Sequence, residues 1–350
     1  MRNQLPQTNQ QMERGGDRPR VFEFVLLNEV SMLSVTSAIE PLRVANRMAR
    51  CERYAWTIVS ENGAEVRASN GLKIASSGRI GEGPVPDYTF VCAGLSLEAQ
   101  EPKRLSAFLN RRFAAGVTVG AISMGTIFLA RAGLLTGRRC TIHWEGMPAF
   151  LEEFPDIDLT TAIYEMDNKV LSCSGGMSSF DLMMEIIAQD HSRSLVYSIA
   201  NQLQMDRIRS GVKLQSTGSS LLPENAPKQL MLAHAIISEN MESPLSPGEL
   251  AEAVGASRRT LERMFVKYTK MTPSKFCKIQ RLERSKSLLL HSNLQILEIA
   301  VVTGFRSASY FSSCFSDHFG IAPSALRQGG GAEVSVDRDE LDPDAPLVDK

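Results

Sequence analysis

The stretch VTVGAISMGTIFLARAGLL, Val117 to Leu135, has the residue pattern of a nucleophile elbow. An apolar strand-like run ends at Ser123, and a helical run rich in small residues follows it. Such a turn holds one side chain at the strand end and aims the next backbone N–H groups at the same place. The chemistry available there is attack by the serine, or binding of an oxyanion, a carboxylate or an amide.

A serine nucleophile also needs a base and a third group that orients the base. His143, in the strand-like stretch CTIHWEG, is the best placed of the five histidines. A packed, hydrogen-bonded structural histidine is the competing interpretation, and we favour it. Its neighbour Trp144 is either an aromatic wall for a cationic amine or a core residue, and the core is favoured.

A second strand–turn–helix pattern, SCSGGMSSFDLMMEI, carries Gly175 and Gly176 at its turn. It is either an ordinary tight turn or a source of N–H donors for the same pocket. We therefore predict an effector pocket and no catalytic residues. The candidate contacts are Ser123, Met124, His143, Trp144, Gly175 and Gly176.

The six cysteines are widely spaced and form no C-x-x-C pair, which argues against zinc and disulfides and for a reducing cytosol. No apolar run reaches the roughly 18 residues that a membrane span needs. We expect a cytoplasmic protein, located at the nucleoid when bound to DNA, without a metal, cofactor or membrane partner.

Strands and helices alternate over residues 21–208, which predicts an α/β domain with a parallel sheet covered by helices. Ligands bind such sheets at the carboxyl ends of strands, where Ser123 falls. The Ser-, Gly- and Pro-rich segment 209–227 is interpreted as a linker, and residues 228–328 as an all-α domain. The polar arm 1–20 and the acidic tail 329–350 are expected to be disordered.

The all-α domain contains two predicted helix-turn-helix units, over Leu245–Thr269 and Leu294–Gly320. In each, a glycine turns the chain after a short helix, and Ser257 or Ser307 can cap the next one. The stretch from Ser257 to Lys286 contains ten Lys or Arg residues and only two acidic residues. Such a stretch supplies phosphate contacts to DNA, although a solvated basic face would look alike.

The second unit resembles the signature of AraC-type transcription regulators in the pattern IxxIAxxxGFxSxSYFxxxFxxxFGxxPxxxR, from Ile296 to Arg327. The resemblance covers about a hundred residues and implies two helix-turn-helix units entering successive major grooves of double-stranded DNA. The base-reading positions that it implies are Arg259, Glu262 and Arg263 in the first unit and Ser309, Ser312 and Ser313 in the second. The basic outer face of the first unit adds Arg258 and Lys267 as expected DNA contacts.

Residues 20 to 200 resemble the class I glutamine amidotransferase-like (PfpI-like) fold. Family enzymes have a cysteine at the elbow and an acid beside it. Here Ser123 replaces the cysteine, and Ser34 stands where the acid would fall. With two parts replaced, the resemblance implies an inactive domain that binds an effector and dimerises.

Together the two resemblances imply a regulator, with activation favoured over repression, that also contacts RNA polymerase. They imply a small nitrogenous effector such as an amino acid or quaternary amine. Two alternatives remain at this point: a hydrolase with Ser123 as nucleophile, and a constitutive DNA-binding protein whose first domain only dimerises.

The two recognition helices differ in charge, since Arg263 has a serine, Ser313, as its counterpart. We expect Arg263→Ala to weaken specific DNA binding by about 1–3 kcal/mol, the value of a bidentate Arg–guanine pair. Ser313→Ala should cost clearly less. Mobility-shift titration of both variants checks this ordering, and equal losses would contradict it.

Overall fold

The computed structural model divides into two compact units, Met1–Ser216 and Thr217–Lys350. The predicted arm up to residue 17, the tail 329–350 and part of the linker lie outside the described residues. The structure describes residues 18–95, 104–215, 222–223 and 225–328.

A seven-stranded sheet forms the centre of the first unit. Its strand order is β10-β11-β7-β6-β1-β2-β5, and every pairing is parallel except that of β10 with β11. Two short pairs, β3 with β4 and β8 with β9, lie outside it. The strands are β1 (Arg20–Leu26), β2 (Tyr54–Ser60), β3 (Val66–Arg67), β4 (Lys73–Ile74), β5 (Gly78–Arg79), β6 (Tyr88–Ala93), β7 (Thr118–Ser123), β8 (Arg139–Cys140), β9 (Asp158–Leu159), β10 (Tyr164–Asp167) and β11 (Val170–Cys173).

Helices cover both faces of this sheet, as the alternating pattern predicts. Successive strand residues point to opposite faces, so Phe24 joins one apolar cluster and Val25 the other. The first cluster includes residues of α1, α5 and α6, and the second includes residues of α2, α3 and α4. These helices are α1 (Met32–Ala49), α2 (Leu105–Ala114), α3 (Thr126–Arg131), α4 (Met147–Glu153), α5 (Ser178–Asp190) and α6 (Arg193–Gln202).

The ends of the first unit differ from the sequence boundaries. Arg20, assigned to the arm, begins β1, and Arg18 forms an ion pair with Asp87 at 2.8 Å. Residues 209–215, assigned to the linker, are hydrogen-bonded to the α/β unit. We therefore propose that the interdomain segment begins after Gln215.

The second unit is helical throughout its described part. Ser257 and Ser307 cap their helices as predicted, by accepting hydrogen bonds from the N–H groups of Thr260 and Tyr310. The helices are α7 (Lys228–Glu239), α8 (Pro247–Ala253), α9 (Arg258–Thr269), α10 (Pro273–His291), α11 (Ile296–Val302), α12 (Ala308–Phe319) and α13 (Pro323–Arg327). The pairs α8–α9 and α11–α12 are the two helix-turn-helix units, and α10 joins them.

No helix in the described part of the chain is both long and apolar enough to cross a membrane. Nor do three or more metal-binding side chains cluster among those residues.

Candidate effector pocket and DNA-binding surface

Ser123 ends β7 in the left-handed backbone region, with φ of 60°. This conformation is costly for a residue other than glycine and is the strained turn that an elbow requires. The turn stays tight because residue 125 is a glycine. A Cβ at Gly125 would lie 2.2 Å from the carbonyl oxygen of Val91, on the neighbouring strand β6.

The loop between β11 and α5 forms the wall opposite the elbow. A Cβ at Gly175 would lie 2.6 Å from Cβ of Ser123, so the missing side chain is what lets the two turns meet. Beside it, the N–H of Gly176 donates a hydrogen bond to Oγ of Ser34 at 2.7 Å. The loop before α5 therefore contacts both the elbow and the first turn of α1.

Ser123 is the polar group left open there. Its residue is 5% exposed. Its Oγ has no hydrogen-bond partner among the residues that the structure describes. A hydroxyl both donates and accepts, so this group can bind either a donor or an acceptor atom of a ligand. A carboxylate or amide bound at this place would supply the missing partner.

The segment that carries His143 packs against the elbow helix. Oγ1 of Thr126 donates to the carbonyl oxygen of Thr141 at 2.8 Å. The strand-like interpretation of His143 is wrong: β8 ends at Cys140, and His143 caps the 3-10 turn Trp144–Gly146. Nδ1 of His143 accepts from the N–H of Glu145 at 3.4 Å, and burial lowers the histidine pKa.

Two of the other sequence candidates differ in how they can reach a ligand. Trp144 is half-buried, and its ring lies 5.8 Å from that of His143. Met124 is 0% exposed and belongs to an apolar cluster of the first unit. Its side chain is in the core, so only its backbone remains available to a ligand.

Two further groups near the elbow bear on its chemistry. Ser34, at the position of the family acid, already accepts the Gly176 hydrogen bond. The nearby thiol of Cys173 lies 3.7 Å from Oγ of Ser179, and burial raises its pKa to about 11. A thiol of that pKa carries almost no thiolate near neutral pH, so it is a poor nucleophile.

The first recognition helix, α9, separates its core face from its outer face. Leu261 and Phe265 are buried, as the periodicity predicts. Facing outward and exposed are Arg258, Arg259, Arg263 and Lys267. Nε of Arg258 lies 3.0 Å from a carboxylate oxygen of Glu262, so this predicted base-reading acid is held in an ion pair one turn along.

The second recognition helix, α12, has a mostly hydroxyl outer face. Ser309 and Ser313 are exposed, Ser312 is half-buried, and Phe311 and Phe315 form the buried side. Sequence analysis did not single out Arg306, an exposed cation just before the capping Ser307. Its position at the N-terminal end of a recognition helix was the available signal.

Arg281 does not belong to the basic outer face in which the sequence counted it. Its Nε donates to the carbonyl oxygen of Thr303 at 2.6 Å, and its guanidinium lies 4.2 Å from the ring centre of Phe305. Burial lowers its pKa. The side chain fastens α10 to the turn of the second helix-turn-helix unit.

Comparison with known proteins agrees with both halves of this architecture. Residues 24–189 match the model of the DJ-1/PfpI family, and residues 250–329 match that of a helix-turn-helix domain. A chain with two capped helix-turn-helix units and a basic outer face is a DNA-binding protein of the transcription-regulator class.

Three relatives extend over most of the chain. The HTH-type transcriptional regulator GbdR of Pseudomonas aeruginosa is 36% identical, covering 89% of this chain and 85% of that regulator. CdhR of the same species is 37% identical, covering 87% of this chain and 91% of that regulator. GlxA of Rhizobium meliloti is 30% identical, covering 88% of this chain and 96% of that regulator. The chain belongs to the AraC-type transcriptional regulators that carry a DJ-1/PfpI domain.

The two adjacent glycines of the pocket allow a matched stability test. Gly175→Ala forces a Cβ against Ser123 at positive φ, and we expect a loss of about 2–4 kcal/mol in unfolding free energy. Gly176→Ala meets no atom within 4 Å, so only the backbone penalty of about 1–2 kcal/mol applies. Urea unfolding followed by tryptophan fluorescence measures this, because Trp56 and Trp144 both lie in the first unit. Equal losses would show that Gly175 is not in close contact with the elbow.

Removing an exposed cation should change the salt dependence of DNA binding, whereas removing a cation that points into the protein should not. Lys267→Gln removes an exposed charge from α9 and should reduce the slope of log K against log salt by about 0.9. Arg281→Gln should leave the slope unchanged, because that guanidinium faces Thr303 and Phe305. Fluorescence anisotropy with a mixed-sequence duplex at several salt concentrations gives both slopes. A reduced slope for Arg281→Gln would place this side chain at a phosphate.

Proposed function

We propose that this chain is a transcription activator whose α/β unit binds a small nitrogenous metabolite, such as an amino acid or quaternary amine, at the Ser123 elbow. The observation that carries the proposal is the side chain of Ser123, a residue 5% exposed, whose hydroxyl has no hydrogen-bond partner among the described residues and lies beside the α5 turn. Binding shifts the regulator only if its active arrangement binds the metabolite better than its inactive one.

A binding role suits the residues of the pocket better than a hydrolytic one. A hydrolase needs a base hydrogen-bonded to the nucleophile and a third group orienting the base. Nδ1 of His143 accepts from the N–H of Glu145, so the neutral imidazole carries its proton on Nε2 and cannot accept another there. Ser34, at the position of the family acid, accepts from the N–H of Gly176. Hydroxyl and backbone groups of this kind bind a carboxylate or amide without attacking it.

The remaining parts of the proposal come from the family resemblance. They are activation through RNA polymerase, a homodimer formed by the α/β units, and a cytoplasmic location. Six free cysteines, four of them buried, fit a reducing compartment.

A thermal-shift screen of the full chain against amino acids, betaines and related amines tests the proposal. A ligand at about 100 times its Kd stabilises the folded state by about 2.7 kcal/mol, a shift of several degrees. Ser123→Ala should reduce the shift. Ser198→Ala, on the exposed face of α6, is the matched control and should keep it.

Two results would contradict the proposal. The absence of stabilisation by every ligand class would favour a constitutive DNA-binding protein. Turnover of ester or amide substrates that is lost in Ser123→Ala would instead identify a hydrolase.

A further inference from the structure

The segment Arg209–Gln215, the strap, is tied at its two ends to the two walls of the candidate pocket. At the first end, the backbone N–H and Nε of Arg209 each donate to a carboxylate oxygen of Asp181 at 2.8 Å. Asp181 lies in the first turn of α5, five residues after Gly176. This end of the strap is therefore fastened to the α5 wall.

The other end is fastened to the segment that leads into His143. Nε2 of Gln215 donates to Oγ1 of Thr141 at 2.9 Å and to the carbonyl oxygen of Ile142 at 2.8 Å. Thr141 is the residue whose carbonyl accepts from Thr126 of the elbow helix. Thr141 therefore links Gln215 to the elbow helix α3.

Polar contacts, rather than apolar burial, hold the strap in place. The apolar side chains Val212 and Leu214 are 85% and 61% exposed. Asp181, in contrast, is 1% exposed, and a buried carboxylate is stable only when it is paired and hydrogen-bonded. The backbone of the strap also pairs with residues 161–163, through the N–H of Gln215 on the Thr161 carbonyl and the N–H of Ile163 on the Lys213 carbonyl. The position of the strap therefore depends on these polar contacts with the α/β unit.

We propose that Arg209 and Gln215 are positioning residues that couple the pocket walls to the point where the chain leaves the α/β unit. This inference rests on the proposed function, because it gives the effector pocket a route to the DNA-binding unit. The boundary between the two units falls at Ser216, directly after Gln215. A ligand that draws the α5 wall and the His143 segment together shifts both anchors, and the exit of the chain follows.

Hydrogen–deuterium exchange of the full chain, read by mass spectrometry, tests this coupling without requiring the effector. Gln215→Glu keeps the side-chain size but removes the hydrogen bonds that Nε2 donates to Thr141, Ile142 and Ala162, and Gln215→Ala serves as a second variant. Either change should raise exchange about tenfold in residues 176–182, which Gln215 does not touch. Asp181→Asn should do the same in residues 141–146, which Asp181 does not touch.

The matched control is Lys213→Ala, because the hydrogen bonds of Lys213 are made by its backbone: its N–H donates to the carbonyl of Ser210 and its carbonyl accepts from the N–H of Ile163, both at 2.9 Å. It should leave both segments unchanged. Unaltered exchange in β1 shows that each variant is folded. Increases confined to the segments that each side chain contacts directly would overturn the coupling.

The exchange experiment and the ligand screen test different proposals, so one can fail while the other succeeds. A pocket that binds a metabolite equally well in wild type and Gln215→Glu, with only local exchange changes, would retain the proposed function and reject the strap. Remote exchange changes without any ligand hit would retain the coupling and reject the effector.

Discussion

The left-handed backbone of Ser123, at the end of a strand in the middle of the sheet, is the constraint on which the first unit depends. A conformation that costs about 1–2 kcal/mol persists only when its surroundings fix it. Here the adjacent strand β6 fixes it from one side, because Gly125 lies against the carbonyl of Val91. The α5 turn fixes it from the other, through the close approach of Gly175. Strain of this kind typically marks a functional site.

The same elbow is compatible with catalysis or with binding, and the groups around it decide between them. Acid–base catalysis needs titratable groups free to exchange protons at the nucleophile. Around Ser123 the structure places hydroxyls and backbone N–H groups, several of them already paired with each other. The pKa of the Cys173 thiol nearby is raised by burial. These groups are the basis of the proposal that the elbow binds a polar ligand.

In the second unit, packing on one side of each recognition helix leaves the other side open to DNA. Phe265 of α9 and Phe315 of α12 are both buried on the core side of their helix. The outer faces differ, since that of α9 is cationic and that of α12 is rich in hydroxyl groups. The exposed cations of the two recognition helices are therefore concentrated on α9, which is why stronger phosphate contacts are expected from the first unit. Arg281 serves instead to hold the turn of the second unit against α10.

The sequence by itself determined the α/β class, the two helix-turn-helix units, the caps at Ser257 and Ser307, and the elbow at Ser123. These features are local: hydrophobic periodicity and capping depend on residues three or four positions apart. Tertiary structure alone decided that Ser34 pairs with Gly176, 142 positions away, and that Arg209 pairs with Asp181, 28 positions away. It also turned Arg281 inward and ended β8 before His143. Spacing along a chain specifies which face a side chain occupies, but the partner on that face comes from another element, and only the packed fold brings the two together.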